Sequence, residues 1–294
     1  MKKIFYLAFI LSLPFSMTAQ DYKLKYDRLS VIVAVDNEIT YTLQAKGYNI
    51  LTPSRLSMTL EDGTVLGASP KVLKISRRTV TENIEAPLYR QSHFPTHYEL
   101  LDLKMAGGYG VEFRLYPDGL AYRFYTSFKQ PQIIRSELVE YVFAEDFNTW
   151  VTYVSPRQDK YASSFETQYV FEKISDAGSH ASLGYPPFYI NCGAAGRVLI
   201  TESDVEHYPG MFLKAGEGLS YTAEHPGYPV SFSKDYSNAR YPKERAGYIA
   251  SVEGTRTFPW RIIIYGEDDV ELANNNMVYQ TAAPSRVADP SWIK

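Results

Sequence analysis

The stretch from Val111 to Tyr125 leaves this chain little freedom in what it can fold into. Val111, Phe113 and Leu115 alternate with Glu112, Arg114 and Tyr116, the period of a strand with one face turned to a core. Pro117-Asp118-Gly119 follows, and Leu120 to Tyr125 resumes a β-rich run. Pro suits the first central position of a turn and Gly its end, so the two runs are predicted to pair as a hairpin. The signature recurs. Ser30–Val35 and Ile39–Leu43 flank Asp36-Asn37-Glu38, and Leu56–Leu60 meets Glu61-Asp62-Gly63 before Val65-Leu66. Leu138–Phe143, Arg197–Thr201, Tyr248–Val252 and Arg261–Tyr265 also read as strands, and only Asp269–Asn274 reads as helix. Many strands at short spacing predict an all-β fold, a large antiparallel sandwich, although the pattern by itself does not separate a sandwich from a barrel.

The beginning of the chain reads as an export signal. Lys2 and Lys3 precede an apolar run from Ile4 to Phe15, too short to span a bilayer, and Ala19 offers a small residue before a cut at Gln20. Residues 1–19 are therefore predicted to be a signal peptide and the remainder to be periplasmic or secreted. No cysteine stands near the cut, so no lipid anchor is expected, and no later stretch is apolar enough for a membrane span. The single cysteine, Cys192, excludes an intramolecular disulfide and reads as an inert core thiol. A net charge of −3 argues against a nucleic-acid partner. The 25 tyrosines suit strands first and sugar contacts second.

Three blocks carry a family resemblance. The first is Glu112-Phe113-Arg114-Leu115-Tyr116-Pro117-Asp118-Gly119-Leu120-Ala121-Tyr122-Arg123-Phe124. The second is Leu199-Ile200-Thr201-Glu202-Ser203-Asp204-Val205-Glu206-His207-Tyr208-Pro209-Gly210-Met211. The third runs from Gly254 through Phe258-Pro259-Trp260-Arg261 and Ala283-Pro284-Ser285-Arg286 to Asp289-Pro290-Ser291-Trp292-Ile293-Lys294. In order and spacing they resemble the N-terminal β-domain of glycoside hydrolase family 97. The resemblance implies the many-stranded super-sandwich also seen in galactose mutarotases. It implies residues 20–280 as that domain and 281–294 as the start of a linker to a catalytic barrel in cis that acts on an α-linked glycan. The family places its catalytic carboxylates on the barrel, so no catalytic residue is expected before Lys294. Its members include both inverting and retaining enzymes.

The resemblance gives Glu202 a role. In the family a Glu of the β-domain helps hold a Ca²⁺ together with barrel glutamates, and Glu202 is the matching position. By residue type alone it reads as a solvated acid at a strand end. Calcium takes six to eight hard oxygens, more than one carboxylate supplies. Asp204 and Glu206 stand nearby without the loop signature of a self-contained site. Glu166, in Tyr161-Ala162-Ser163-Ser164-Phe165-Glu166-Thr167, resembles a family loop near the domain interface and otherwise reads as a solvent-facing acid. His207 could meet sugar or serve as a structural loop residue. His93 and His97 have zinc spacing only on a helix, which Pro95 opposes. Trp150 and Trp260 read as core, and Trp292 as a residue that packs on the barrel and is exposed without it.

Two functions follow. One is the N-terminal part of an exported α-glucosidase or α-galactosidase, silent alone because glycoside cleavage needs two flanking carboxylates. The other is a stand-alone carbohydrate-binding or mutarotase-like protein, which would need an acid and a base in one cleft. The five histidines fall in no motif for that chemistry.

Overall fold

The computed structural model describes residues 20–86, 89–155, 159–161, 165–180, 182–234 and 240–293. The predicted signal peptide lies outside them. Two large antiparallel sheets form a sandwich. The first runs Gln20–Tyr26, Leu29–Val35, Ile39–Ala45, Tyr48–Leu60, Gln132–Val142, Ser220–Glu224, Phe212–Ala215, with Val65–Leu66 and Ala250–Val252 at its sides. The second runs Tyr169–Lys173, Asn148–Thr152, Phe188–Asn191, Arg197–Ser203, Trp260–Gly266, Gly119–Ser127, Tyr109–Tyr116, His93–Met105, Val72–Glu85, with Thr255–Thr257 beside it. Their facing sides share one core, to which Val31, Val33, Leu43, Val111, Phe113, Leu115 and Ile263 belong. The alternating burial of Leu29–Val35 and Ile39–Ala45 is the period-two pattern read from the sequence.

The predicted hairpin forms as expected. Tyr116 pairs with Gly119, and Pro117 and Asp118 make the turn. One detail differs. Tyr116, read as outward, is fully buried, because the second sheet is covered on its outer face as well. There Tyr98, Leu100, Tyr116, Trp260, Ile262 and Ile264 pack against Leu272 and Met277, which belong to the helices Asp269–Ala273 and Met277–Thr281. Trp260–Gly266 is accordingly buried at every position, which explains why its apolar residues occupy both faces.

Trp150 corrects another expectation. It stands on a strand next to the sheet's edge and is 43 % exposed, its ring 4.9 Å from that of Phe171. Trp260 is core as predicted, and Trp292 is exposed. His93 and His97 sit on a strand, where the His97 Nδ1 meets the Thr81 hydroxyl at 2.9 Å. Cys192 is buried, and burial pushes its thiol up to about 12. Among the described residues no helix is long and apolar enough to cross a membrane.

Candidate functional site

Arg197–Ser203 pairs with Trp260–Gly266 so that Glu202 stands directly opposite Arg261. Residues two apart share a face, so Val198, Ile200 and Glu202 point inward, as do Arg261, Ile263 and Tyr265. Arg261 therefore enters the space between the sheets, where it has no exposure. A guanidinium there must be paired and hydrogen-bonded. From the opposite sheet Glu137 supplies the first partner. Arg261 Nε donates to Glu137 Oε1 at 3.0 Å and Nη2 to Oε2 at 2.6 Å. Glu202 supplies the second, its Oε2 accepting from Arg261 Nη1. The guanidinium thus ties the two sheets together at one end of the sandwich.

The rest of the shell comes from loops. The Tyr208 hydroxyl donates to Glu137 Oε2 at 2.9 Å, and the Met211 N–H donates to Glu202 Oε1 at 2.8 Å. Gly210 lies close under that oxygen, where a Cβ would come within 3.3 Å of it. His225 Nε2 lies 3.3 Å from Arg261 Nη2. Arginine only donates, so the imidazole accepts there and is neutral. Burial, and then the Arg261 charge, push His225 down to about 4.

The two carboxylates differ in kind. Burial pushes Glu137 up, but Arg261 and the other partners outweigh it and hold its pKa below the usual carboxylate range. Burial also pushes Glu202 up, and here the Arg261 pull and the Met211 amide do not fully offset it. Glu137 holds three donors and Glu202 two. With His225 neutral, two carboxylates face one guanidinium, an excess of one negative charge. Glu202 is the less enclosed of the two, its side chain keeping 12 % of its exposure at the rim. A carboxylate offers about four lone-pair positions, so Glu202 retains room for a further cation. Glu137 and Glu202 share one guanidinium, an arrangement suited to holding a carboxylate still and unsuited to a separate acid and base.

The other sequence candidates lie around this rim without joining it. His207 is exposed, with φ +51°. It borders a cleft of about 640 Å³ with Asp204, Glu206 and Arg256. Asp204 turns away to accept the Ala283 N–H at 2.7 Å, and Glu206 pairs with Arg286. Glu166 is exposed. Its neighbour Phe165 packs 5.7 Å from Phe212, the residue after Met211, which places Glu166 at the same end of the sandwich as Glu202. Among the described residues, no three His, Cys, Asp or Glu side chains converge as a metal site.

Sequence reasoning missed Arg261, Glu137, Tyr208 and His225. Glu137 stood one residue before the strand read as Leu138–Phe143, and Arg261 was hidden in a run apolar on both faces.

The model of the glycosyl-hydrolase 97 N-terminal family matches residues 26–284. A retaining alpha-galactosidase of Bacteroides thetaiotaomicron is 38 % identical over 274 residues, which are 90 % of this chain and 41 % of that protein. Among solved structures, a glycoside hydrolase family 97 enzyme from Pseudoalteromonas sp. strain K8 in complex with acarbose superposes with a TM-score of 0.75 at 18 % identity, over 91 % of this chain and 38 % of that one. A beta-arabinopyranosidase superposes at 0.71 and 21 % identity, over 85 % and 40 %. At those identities the superpositions speak to the fold. The chain spans about two fifths of the length of these relatives. The matched family model covers most of the sandwich, including both the Glu202 loop and the Arg261 strand, and on that ground the chain belongs to the glycoside hydrolase family 97 N-terminal domain family.

Proposed function

We propose that this chain is the non-catalytic β-sandwich of an exported α-glycosidase of the α-galactosidase type, and that Glu202 lends an oxygen to a Ca²⁺ completed by a catalytic barrel. The observation that carries the reading is the 38 % identity, sustained over 90 % of the chain, to a retaining alpha-galactosidase. Glycoside cleavage requires two carboxylates flanking the bond, and the buried pair on this domain is committed to Arg261. The acid and the nucleophile then belong to the part of such an enzyme beyond the matched segment.

The donor set supports calcium at one ligand position. Glu202 is a hard oxygen donor with lone pairs beyond the two hydrogen bonds it accepts, fixed by Arg261 and the Met211 amide. A single carboxylate leaves the rest of the shell to water, so the isolated chain should bind Ca²⁺ with a Kd of millimolar order or weaker. Glu166 and His207 are assigned to the rim that faces the barrel. The apolar run at residues 4–15 supports export to the periplasm or beyond.

The experiment has two arms. The purified chain should not hydrolyse aryl α-galactosides or α-glucosides, and turnover that co-purifies with it would overturn the reading. In a complete enzyme carrying this domain, Glu202→Gln should shift the calcium titration of activity to higher concentration while leaving the melting temperature of the isolated chain within a few degrees. Equal calcium dependence in the two proteins would remove Glu202 from the site.

One observation favours a second reading, a stand-alone carbohydrate-binding protein. Trp150 and Phe171 are an exposed pair, 43 % and 54 %, on one face, and such rings suit sugar faces. Calorimetric titration with galactose-terminated oligosaccharides, repeated on Trp150→Ser, tests it.

A further inference from the structure

One element belongs to neither sheet. Pro229–Lys234 and Arg240–Arg245 pair only with each other, as a two-stranded ribbon. An isolated two-stranded ribbon is marginal in water. This one is firmly held at its base. Tyr228 stacks on Tyr248 at 5.6 Å, and their backbones exchange a 2.8 Å hydrogen bond. Arg245 donates to Asp159 Oδ2 at 3.0 and 3.1 Å and to the Gly227 carbonyl at 3.1 Å. The base sits beside His225, so the ribbon rises from the end of the sandwich that holds Arg261 and Glu202.

Beyond the base its side chains lack cover. Val230 is 61 % exposed and Phe232 45 %. They lie two apart and share a face. Phe232 is directly opposite Pro242, and the Arg240 guanidinium lies 4.5 Å over its ring. With Arg245 paired to Asp159, the described ribbon keeps three cations, Lys234, Arg240 and Lys243, against one acid, Glu244. The whole chain has a net charge of −3. An apolar face rimmed with cations on a projecting arm is the chemistry of a docking element.

We infer that this ribbon is an arm that docks on the catalytic domain, at the carboxylate-bearing face around its active site. This rests on the reading of the chain as part of a longer glycosidase. Two observations select that occupant. About three fifths of the length of the relatives lies outside the matched segment. The machinery it must hold includes an ionised carboxylate, the base or nucleophile that acts beside a protonated acid, complementary to the ribbon. The arm also starts from the rim where Glu202 stands, so docking would bring that carboxylate to the same face.

The test is binding of this chain to the separately produced remainder of the Bacteroides relative, with hydrogen exchange read on the ribbon amides. Wild type should bind, with slower exchange in Val230–Lys234 and Arg240–Arg245. Phe232→Ser should weaken binding by about tenfold, as for a buried interface anchor, and Arg240→Glu should weaken it while reducing its salt dependence. Both variants should melt with wild type, and Trp150→Ser, on another surface, should bind normally. If wild type binds and both ribbon variants bind equally with unprotected ribbon amides, the arm is overturned and the functional reading stands. If wild type fails to bind, that reading falls and the arm with it. Concentration-dependent dimers of the chain alone, abolished by Phe232→Ser, would assign the arm to a second copy and overturn the inference.

Discussion

The two ends of the sandwich are built on different principles. At one end Pro117 and Asp118 make a two-residue turn, and helix Asp269–Ala273 closes over it. The turn is local, and two side-chain ties hold distant segments to it at the surface. Asn275 Nδ2 donates to the Asp118 carboxylate at 2.6 Å, and Arg28 bridges Glu267 and Glu271 at 2.7 Å each. At the other end the connections are long, a ribbon projects, and a buried guanidinium holds two carboxylates from two sheets. The closed end stabilises itself. The open end places charge between the sheets and leaves apolar side chains in water, a combination that costs stability unless something docks there. Departure from local self-consistency marks where a function is expected.

The contrast breaks most sharply at Arg261. Arg261→Met strands Glu137 in the interior without its cation, and a broken buried pair costs about 3–5 kcal/mol. Urea unfolding should show that loss, and a change within experimental scatter would mean that the open end is no more committed than the surface.

The next test uses pH, because the two ends respond with opposite sign. His225 is held down at about 4 from 6.5. Its neutral form is favoured on folding, so its contribution is present above pH 6.5 and is lost as pH falls toward 4, by up to about 3 kcal/mol. Burial first of all pushes Asp118 up to about 6 from 3.8. Its contribution is present below pH 3.8 and is lost as pH rises through 6. Stability curves of His225→Asn and Asp118→Asn should therefore deviate from wild type in opposite directions between pH 4 and 6.5, and parallel curves would refute the assignment. A smaller effect belongs to the closed end alone. At Gly119, with φ +157°, a Cβ would lie 2.3 Å from Met277 Sδ and 2.5 Å from the Ile263 carbonyl. Gly119→Ala should cost roughly 1–3 kcal/mol, as overpacking does, with no effect on calcium response. Glu202→Gln should give the smallest stability change of the set.

The closed end was legible in the sequence because its signals are local. Pro117-Asp118-Gly119 specifies a turn within three residues, and the alternation from Val111 onward sets the hairpin's inner face. Where one face of a strand meets water, period two reveals the other. Where both faces are covered, as at Tyr116 and Trp260–Gly266, the alternation vanishes and with it the means of assigning Tyr116 inward. Arg261 was unreadable for the same reason, and its partner Glu137 lies 124 residues away. Trp150 erred in the other direction. Its size suggested core, but its strand lies next to the sheet's edge, which only the topology reveals. Glu202 was singled out by resemblance to a family, while the charges that hold it came only from the fold.

The lone thiol of Cys192 doubles as a clock. It lies at the closed end, in the pairing of its N–H with the Gly196 carbonyl at 3.0 Å, and is shut away from solvent. With its acidity weakened to about 12 it carries almost no thiolate at neutral pH. A disulfide reagent can then react only when this end opens. The labelling rate of the unmodified chain therefore reads how often the self-stabilised end comes apart, and comparing it with ribbon exchange measures how far the two ends open independently.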